Sequence, residues 1–374
     1  VIMLPLSALI FKHGKRNPLI GIVASFAGLT CGQGLSIIFT SVDSSLLSES
    51  LLAARVIDLT YRMASISGIF IMIVATIIIA IVLTNTTEKV VAPRFKKYEV
   101  TDELEEKPLA KRELRGLLFA VFASSLYLII FLYNIIPGLP FSGKLLDNSQ
   151  ILYVDKLFSY NSFFSNGFVF IVTMFFLILG LFYGLGARTI KSNKDFVDSL
   201  GYSLDGIGST IVLILVASLF ISVFKTSNIG TVIVASLANL FRTIGFKGLA
   251  LIIFLFIVSV ISTLVLPTTT LKWNILAPIV IPVFMNAGLT PEFAQIIFRF
   301  GECVTMGLTP IMAYFVIYLA MLNKNCKEED SISIKDAIRF QLPYIAITFV
   351  ILLAIIILWY IIGLPLGING KTVL

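Results

Sequence analysis

The stretch from Leu266 to Pro310 constrains the fold more than any other part of the chain. It reads LPTTTLKWNILAPIVIPVFMNAGLTPEFAQIIFRFGECVTMGLTP. An apolar run stops at Pro267, and three threonines and Lys272-Trp273 follow. A second apolar run carries Pro278 and Pro282, which are expected to break it. A helical segment then brings Arg299 and Glu302, three positions apart, into apolar surroundings and ends at Gly307-Leu308-Thr309-Pro310. Inside a bilayer, irregular backbone and ionisable side chains are tolerated only where protein or a water-filled cavity surrounds them. Helix breaks and charges in one hydrophobic stretch therefore point to a transport site. Kinked helices whose charges snorkel to the surface are the plainer alternative.

The rest of the chain is as hydrophobic. Apolar residues make up 58% and charged residues 13%, with a mean hydropathy of +1.00. Soluble domains are typically near 25% charged, so this composition indicates a polytopic, all-α membrane protein. The net charge of +7 is spread between hydrophobic segments and not gathered in one patch, which argues against nucleic acid as a partner. Cys31, Cys303 and Cys326 offer no disulfide framework. The chain opens at Val1 already inside an apolar run, and a fragment lacking N-terminal membrane segments is expected.

In order, Val1–Phe11 is too short to span, since a spanning helix needs about 20 residues. Pro18–Val42 is long enough but is interrupted by Gly28, Gly32 and Gly34, with Asp43 just beyond. Residues 44–62 are expected to form a loop or interfacial helix. Clean spans are expected at 64–84, 117–136, 167–185, 207–224 and 346–362, and an amphipathic interfacial segment at 229–244. The basic loops are 12–16, 85–115, 186–204 and 323–339. The positive-inside rule places all four on the cytoplasmic side only if 249–285 enters and leaves from the outside, as a re-entrant hairpin. The expected organisation is a first half over 1–84, a cytoplasmic linker over 85–115 and a second half over 116–374. The second half holds that hairpin, a broken helix at 291–322 and the last span. The localisation that follows is multi-pass, in the inner (cytoplasmic) membrane.

Sliding the sequence on itself by 273 positions brings Pro5 onto Pro278, Phe11 onto Phe284 and Pro18 onto Pro291 without a gap. The same shift brings Gly28 onto Gly301, Gly34 onto Gly307, Leu35 onto Leu308 and Ser36 onto Thr309. Matched prolines and glycines mean matched breaks in the backbone. The first copy turns at the basic Lys12–Arg16 and the second at the uncharged 286–290, so the copies face opposite ways. Inverted repeats with paired discontinuous helices are the architecture of secondary transporters, with the site near the midplane at the repeat interface.

These residues resemble the p-aminobenzoyl-glutamate transporter (AbgT) family along essentially the whole chain. Where that family has Ser-Ala-Lys-Trp at a hairpin tip, this chain has Thr270-Leu271-Lys272-Trp273. The family's Ala-Pro before a second proline is matched by Ala277-Pro278 and Pro282. Its Arg-x-Gly-Asp is Arg299-Phe300-Gly301-Glu302 here, and its closing Thr-Pro is Thr309-Pro310. The similarity extends to Thr87–Arg94, Tyr183-Gly184, Ile190–Asp195, Ser227-Asn228 and Gly363–Gly367. Two departures, Glu302 for aspartate and Thr270 for serine, keep the charge and the hydroxyl. The resemblance implies cation-coupled transport, a homodimer and no cofactor beyond the coupling ion, sodium or a proton.

Among single residues, Arg299 is always charged and offers a planar fork for a carboxylate. It is a candidate anchor for an anionic small-molecule substrate; an internal pair with Glu302, one turn away, is the competing reading. Glu302 is a candidate for both substrate and cation. Thr270, Trp273, Pro291 and Pro310 complete the substrate candidates, with Trp273 placed either to stack on an aromatic ring or to pack. Asp43, Ser36, Thr268, Thr269 and Thr305 complete the cation candidates, since hydroxyls and free carbonyls suit a hard cation. Lys272 is expected to snorkel or cap. No metal-ligand spacing, HExxH or Ser-His pairing supports a membrane enzyme. Breaks at one depth fit alternating access better than a continuous channel. The substrate expected is p-aminobenzoyl-glutamate or a related anion, including sulfonamide-type antimetabolites for export; a sodium-coupled dicarboxylate carrier is the alternative.

Overall fold

The structure, a computed structural model, describes residues 2–35, 37, 40–63, 67–95, 111–149, 153–158, 162–204, 207–326, 332–367 and 370–374. Its helices are α1 (Met3–His13), α2 (Pro18–Gly32), α3 (Ser41–Ala54), α4 (Ile69–Thr86), α5 (Lys111–Ile135), α6 (Tyr153–Phe158), α7 (Phe163–Gly186), α8 (Asn193–Leu204), α9 (Ile207–Thr226), α10 (Ile229–Ile244), α11 (Gly248–Val265), α12 (Thr269–Asn286), α13 (Pro291–Thr305), α14 (Ala313–Lys324) and α15 (Ile334–Ile362). Among the described residues no strand forms, only isolated bridges near the C terminus. Among the described residues, five helical segments are long and apolar enough to cross a membrane: Ile69–Arg94, Lys111–Ile135, Phe163–Gly186, Gly248–Val265 and Ile334–Ile362.

The chain divides into two compact units, 1–101 with 209–374, and 102–208. In the smaller unit α5 packs on α7 where small residues meet. A Cβ on Gly116 would lie 2.8 Å from that of Ala187, and one on Gly186 would lie 2.8 Å from the Cα of Gly116. The larger unit holds the core and the repeat. The pairs His13 and Asn286, Pro18 and Pro291, and Gly32 and Thr305 start or end matching helices, each pair at the offset of 273. Proline at N1 opens both α2 and α13, where its missing N–H costs nothing, and Asn17 and Thr290 cap them.

The breaks fall slightly later than the glycines suggest. Gly28 and Gly301 lie inside helices; α2 ends at Gly32 and α13 at Thr305, and the next helices begin at Ser41 and Ala313. What Gly301 provides is close approach, because a Cβ there would sit 2.5 Å from the Cβ of Ser259 on α11. Pro278 and Pro282 do not break α12, which runs through both. Each removes one backbone donor, and neighbouring helices make such losses tolerable in a membrane protein. Most of the expected loop or interfacial segment forms helix α3, in which Leu46, Ser50 and Ala54 are fully buried and which packs on α12. Helix α4 continues past its expected end as a π-helical turn, Thr87–Val91, and a short 3-10 turn, Ala92–Arg94. There Arg16 grips Glu88 through both terminal nitrogens at 2.8 and 2.7 Å. Helix α15 takes in part of the expected 323–339 loop, starting at a Ser333/Asp336 capping box. The C-terminal tail then folds back: the Leu366 carbonyl accepts from Phe70 and Ile71 N–H, capping α4, and Thr290 donates through its hydroxyl to the carbonyl of Lys371.

Candidate transport site

Helix α13 is the most enclosed element of the larger unit, with Pro291–Ala294 and Ile296–Thr305 all buried. Arg299 and Glu302 project from it one turn apart, yet they pair with other elements and not with each other. Arg299 Nη1 donates to Asp43 Oδ1 in the first turn of α3. Glu302 Oε1 lies 2.5 Å from Lys272 Nζ in the first turns of α12. All four charges are withdrawn from solvent: Lys272 is 0% exposed, Glu302 4%, Arg299 6% and Asp43 6%. Hydrophobic residues of similar volume are often as stabilising as buried ion pairs, or more so, so two such pairs at one junction argue for function over stability.

Asp43 is held ready for this role by its own helix end. Its Oδ2 accepts from Thr40 N–H at 2.8 Å and from the Thr40 hydroxyl at 2.6 Å, leaving Oδ1 for Arg299. The Lys272 ammonium also donates to Thr263 Oγ1 at 2.7 Å, and that hydroxyl donates on to the Ser259 carbonyl at 2.7 Å. Trp273 is fully buried; its ring lies 4.6 Å from that of Phe298, and its Nε1 donates to Ser50 Oγ at 2.9 Å. Three buried polar atoms on α13 and in the break beyond it have no hydrogen-bond partner among the described residues: Arg299 Nε, Glu302 Oε1, which meets Lys272 as an ion pair, and Thr309 Oγ1.

The two breaks meet here, and their contacts obey the repeat. Gly34 N–H donates to Cys303 Sγ at 3.2 Å, and a Cβ on Gly34 would lie 2.5 Å from the Arg299 carbonyl. At the offset of 273, a Cβ on Gly307 would lie 2.8 Å from Thr30 Oγ1, the counterpart of Cys303. The counterpart of Arg299 is Phe26, which stacks on Tyr318 at 4.1 Å. Arg299, Glu302 and Lys272 come from the second copy, and Asp43, just after the first break, from the first.

The other candidates are distributed around this junction. Thr268 is exposed and is the N-cap of α12 without a side-chain bond; Thr269 and Thr270 are half-buried in its first turn. The Thr305 hydroxyl is taken by the Val260 carbonyl at 2.7 Å. Pro291 is buried as the first residue of α13, and Pro310 is exposed within the break. Ser36 lies outside the described residues. Lys272 does not snorkel, because the polar partners that satisfy it are inside. Thr263 was invisible as a site residue, being one hydroxyl in an apolar run.

An all-helical membrane protein whose inverted repeats cross two discontinuous helices at a cluster of buried charges has the architecture of a secondary transporter. The chain belongs to the AbgT putative transporter family, which it matches over residues 1–374. It is 27% identical over 369 residues to the p-aminobenzoyl-glutamate transport protein of Escherichia coli, spanning 98% of this chain and 70% of that protein. Its fold is similar to that of Neisseria gonorrhoeae MtrF, described with a class of antimetabolite efflux pumps. The TM-score is 0.56 and the identity 28%, over 99% of this chain and 72% of that one. The YdaH transporter of Alcanivorax borkumensis, noted for an unusual topology, shares the fold with a TM-score of 0.58 and 23% identity, over 98% and 75% of the two chains.

Proposed function

We propose that this chain is a cation-coupled secondary transporter of the inner (cytoplasmic) membrane that moves p-aminobenzoyl-glutamate or a related aromatic anion, and that it works as a homodimer. The observation that carries the reading is Arg299. Its guanidinium is buried where the two breaks meet, held by Asp43 through one terminal nitrogen, and its Nε has no partner among the described residues. A permanently charged fork with an unused donor, enclosed by protein, suits a carboxylate or a sulfonamide anion. Similarity to a p-aminobenzoyl-glutamate transport protein and to an antimetabolite efflux pump supports the substrate class. Glu302 and the hydroxyls beside it supply oxygen ligands for sodium, or a carboxylate for a proton.

The test is flux of p-aminobenzoyl-glutamate and of a sulfonamide by the full-length protein in vesicles under separate sodium and proton gradients. Substrate movement that follows one gradient is expected, with Arg299→Ala inactive. Movement of succinate in preference to either aromatic anion would establish the dicarboxylate reading instead.

A further inference from the structure

We propose that Lys272 is a tethered internal cation that occupies the coupling-ion position on Glu302 and must be displaced for that ion to bind. The inference rests on the transport reading above and assigns a role to a residue which that reading leaves unused.

The placement of Lys272 makes little sense as a device for folding. A lysine is among the residues least often fully buried, and this one is 0% exposed. It sits in the first turns of α12, near the positive end of the helix dipole, where a cation is disfavoured. Its ammonium lies 2.5 Å from Glu302 Oε1, 2.7 Å from Thr263 Oγ1 and 5.6 Å from the centre of the Phe298 ring. The partners that hold it are a carboxylate and a hydroxyl, the oxygen donors that also suit a monovalent hard cation. The ammonium is a compact single positive charge on a flexible four-carbon stem, so it can leave without moving α12. Arg299, by contrast, is tied to a different carboxylate on a different helix.

Charge balance then links the two cargoes. When a sodium ion or a proton takes Glu302, the freed Lys272 ammonium leaves the junction with one uncompensated positive charge, which an anionic substrate neutralises. The coupling ion and one carboxylate or sulfonamide anion of the substrate enter together, and each raises the affinity for the other. Lys272 acts here as a positioning residue for the coupling ion and as a second, conditional counter-charge for the anion.

The experiment measures half-saturation for the coupling ion in vesicle flux by the full-length wild type, Lys272→Gln and Lys272→Arg. Removing the competitor should lower the half-saturation about tenfold in Lys272→Gln, within the usual range for such couplings. It should also abolish the sharpening of ion affinity by substrate. Lys272→Arg keeps the charge but grips the carboxylate with a planar fork, so its half-saturation should rise. An unchanged half-saturation in Lys272→Gln, or wild-type behaviour in Lys272→Arg, would overturn the proposal while leaving cation-coupled transport intact. A wild type whose flux follows no cation gradient would overturn both. If Lys272→Gln alone does not accumulate, Lys272→Gln/Glu302→Gln removes the whole pair and should accumulate while losing ion dependence; a double variant that keeps ion dependence would overturn the proposal.

Discussion

Among single residues, the two buried pairs behave as separate units, because each joins α13 to a different helix. Removing one member of such a pair strands the other charge and typically costs about 3–5 kcal/mol. Arg299→Ala should therefore lower thermal stability as well as flux. The informative variant is Arg299→Ala/Asp43→Asn, which leaves no stranded charge. Stability measured by thermal unfolding in detergent should return most of the way to wild type, while flux stays absent because the anchor is gone. Recovery of flux would mean that Arg299 serves only to balance Asp43. Arg299→Lys should rescue poorly, since it lacks the fork. The sequence made all four charges visible but offered a partner only to Arg299 and Glu302, and that as the competing reading. Spacing of three on one helix suggested an Arg299–Glu302 pair, whereas crossing helices supply partners from positions 43 and 272, which no local pattern relates to 299.

For the helices, small residues decide how closely neighbours approach the site. Helix α11 lies against α13 at Ser259 and Gly301, and Thr305 donates to the Val260 carbonyl one turn further on. A Cβ on Gly301 would lie 2.5 Å from the Ser259 Cβ and 2.9 Å from the Phe256 carbonyl, and backbone cannot step aside cheaply. Gly301→Ala should destabilise by about 1–3 kcal/mol, as overpacking does. It should also reduce flux, because Glu302 is the next residue. A melting temperature equal to that of wild type would show that α11 yields without cost. A milder loss, about 1 kcal/mol, is expected for Thr40→Ala, which removes the α3 cap that orients Asp43. Helix existence was legible from apolar runs and punctuation. The ends were less so: glycines mark both close packing and breaks, and only contacts with other helices separate the two uses.

At the scale of the molecule, the repeat was legible because proline and glycine positions survive where apolar residues interchange freely. Depth in the membrane follows from combining the repeat with the site. Helix α11 has 18 residues, roughly 27 Å at 1.5 Å per residue, so length alone would let it cross. The ion pair between Lys272 and Glu302 argues otherwise. Glu302 lies 11 residues into α13 from Pro291, about 16 Å along the helix axis and close to half of a roughly 30 Å hydrocarbon core. Lys272, three residues into α12, pairs with it at that same level, so we expect the turn between α11 and α12 near mid-depth, with both arms returning to one side. Single cysteines test this in a background where Cys326 is replaced by Ala; Cys31 and Cys303 are buried. Phe246→Cys and Asn286→Cys, both at exposed positions, should react with a membrane-impermeant thiol reagent from the outside. Lys324→Cys, in the basic 323–339 loop, should react only from the inside. Thr268→Cys, at the turn itself, should be protected from reagent on the inner side. Ready labelling of position 268 from the inside would mean that α11 and α12 cross the whole membrane, and labelling of 246 and 286 from opposite sides would dismiss the hairpin altogether.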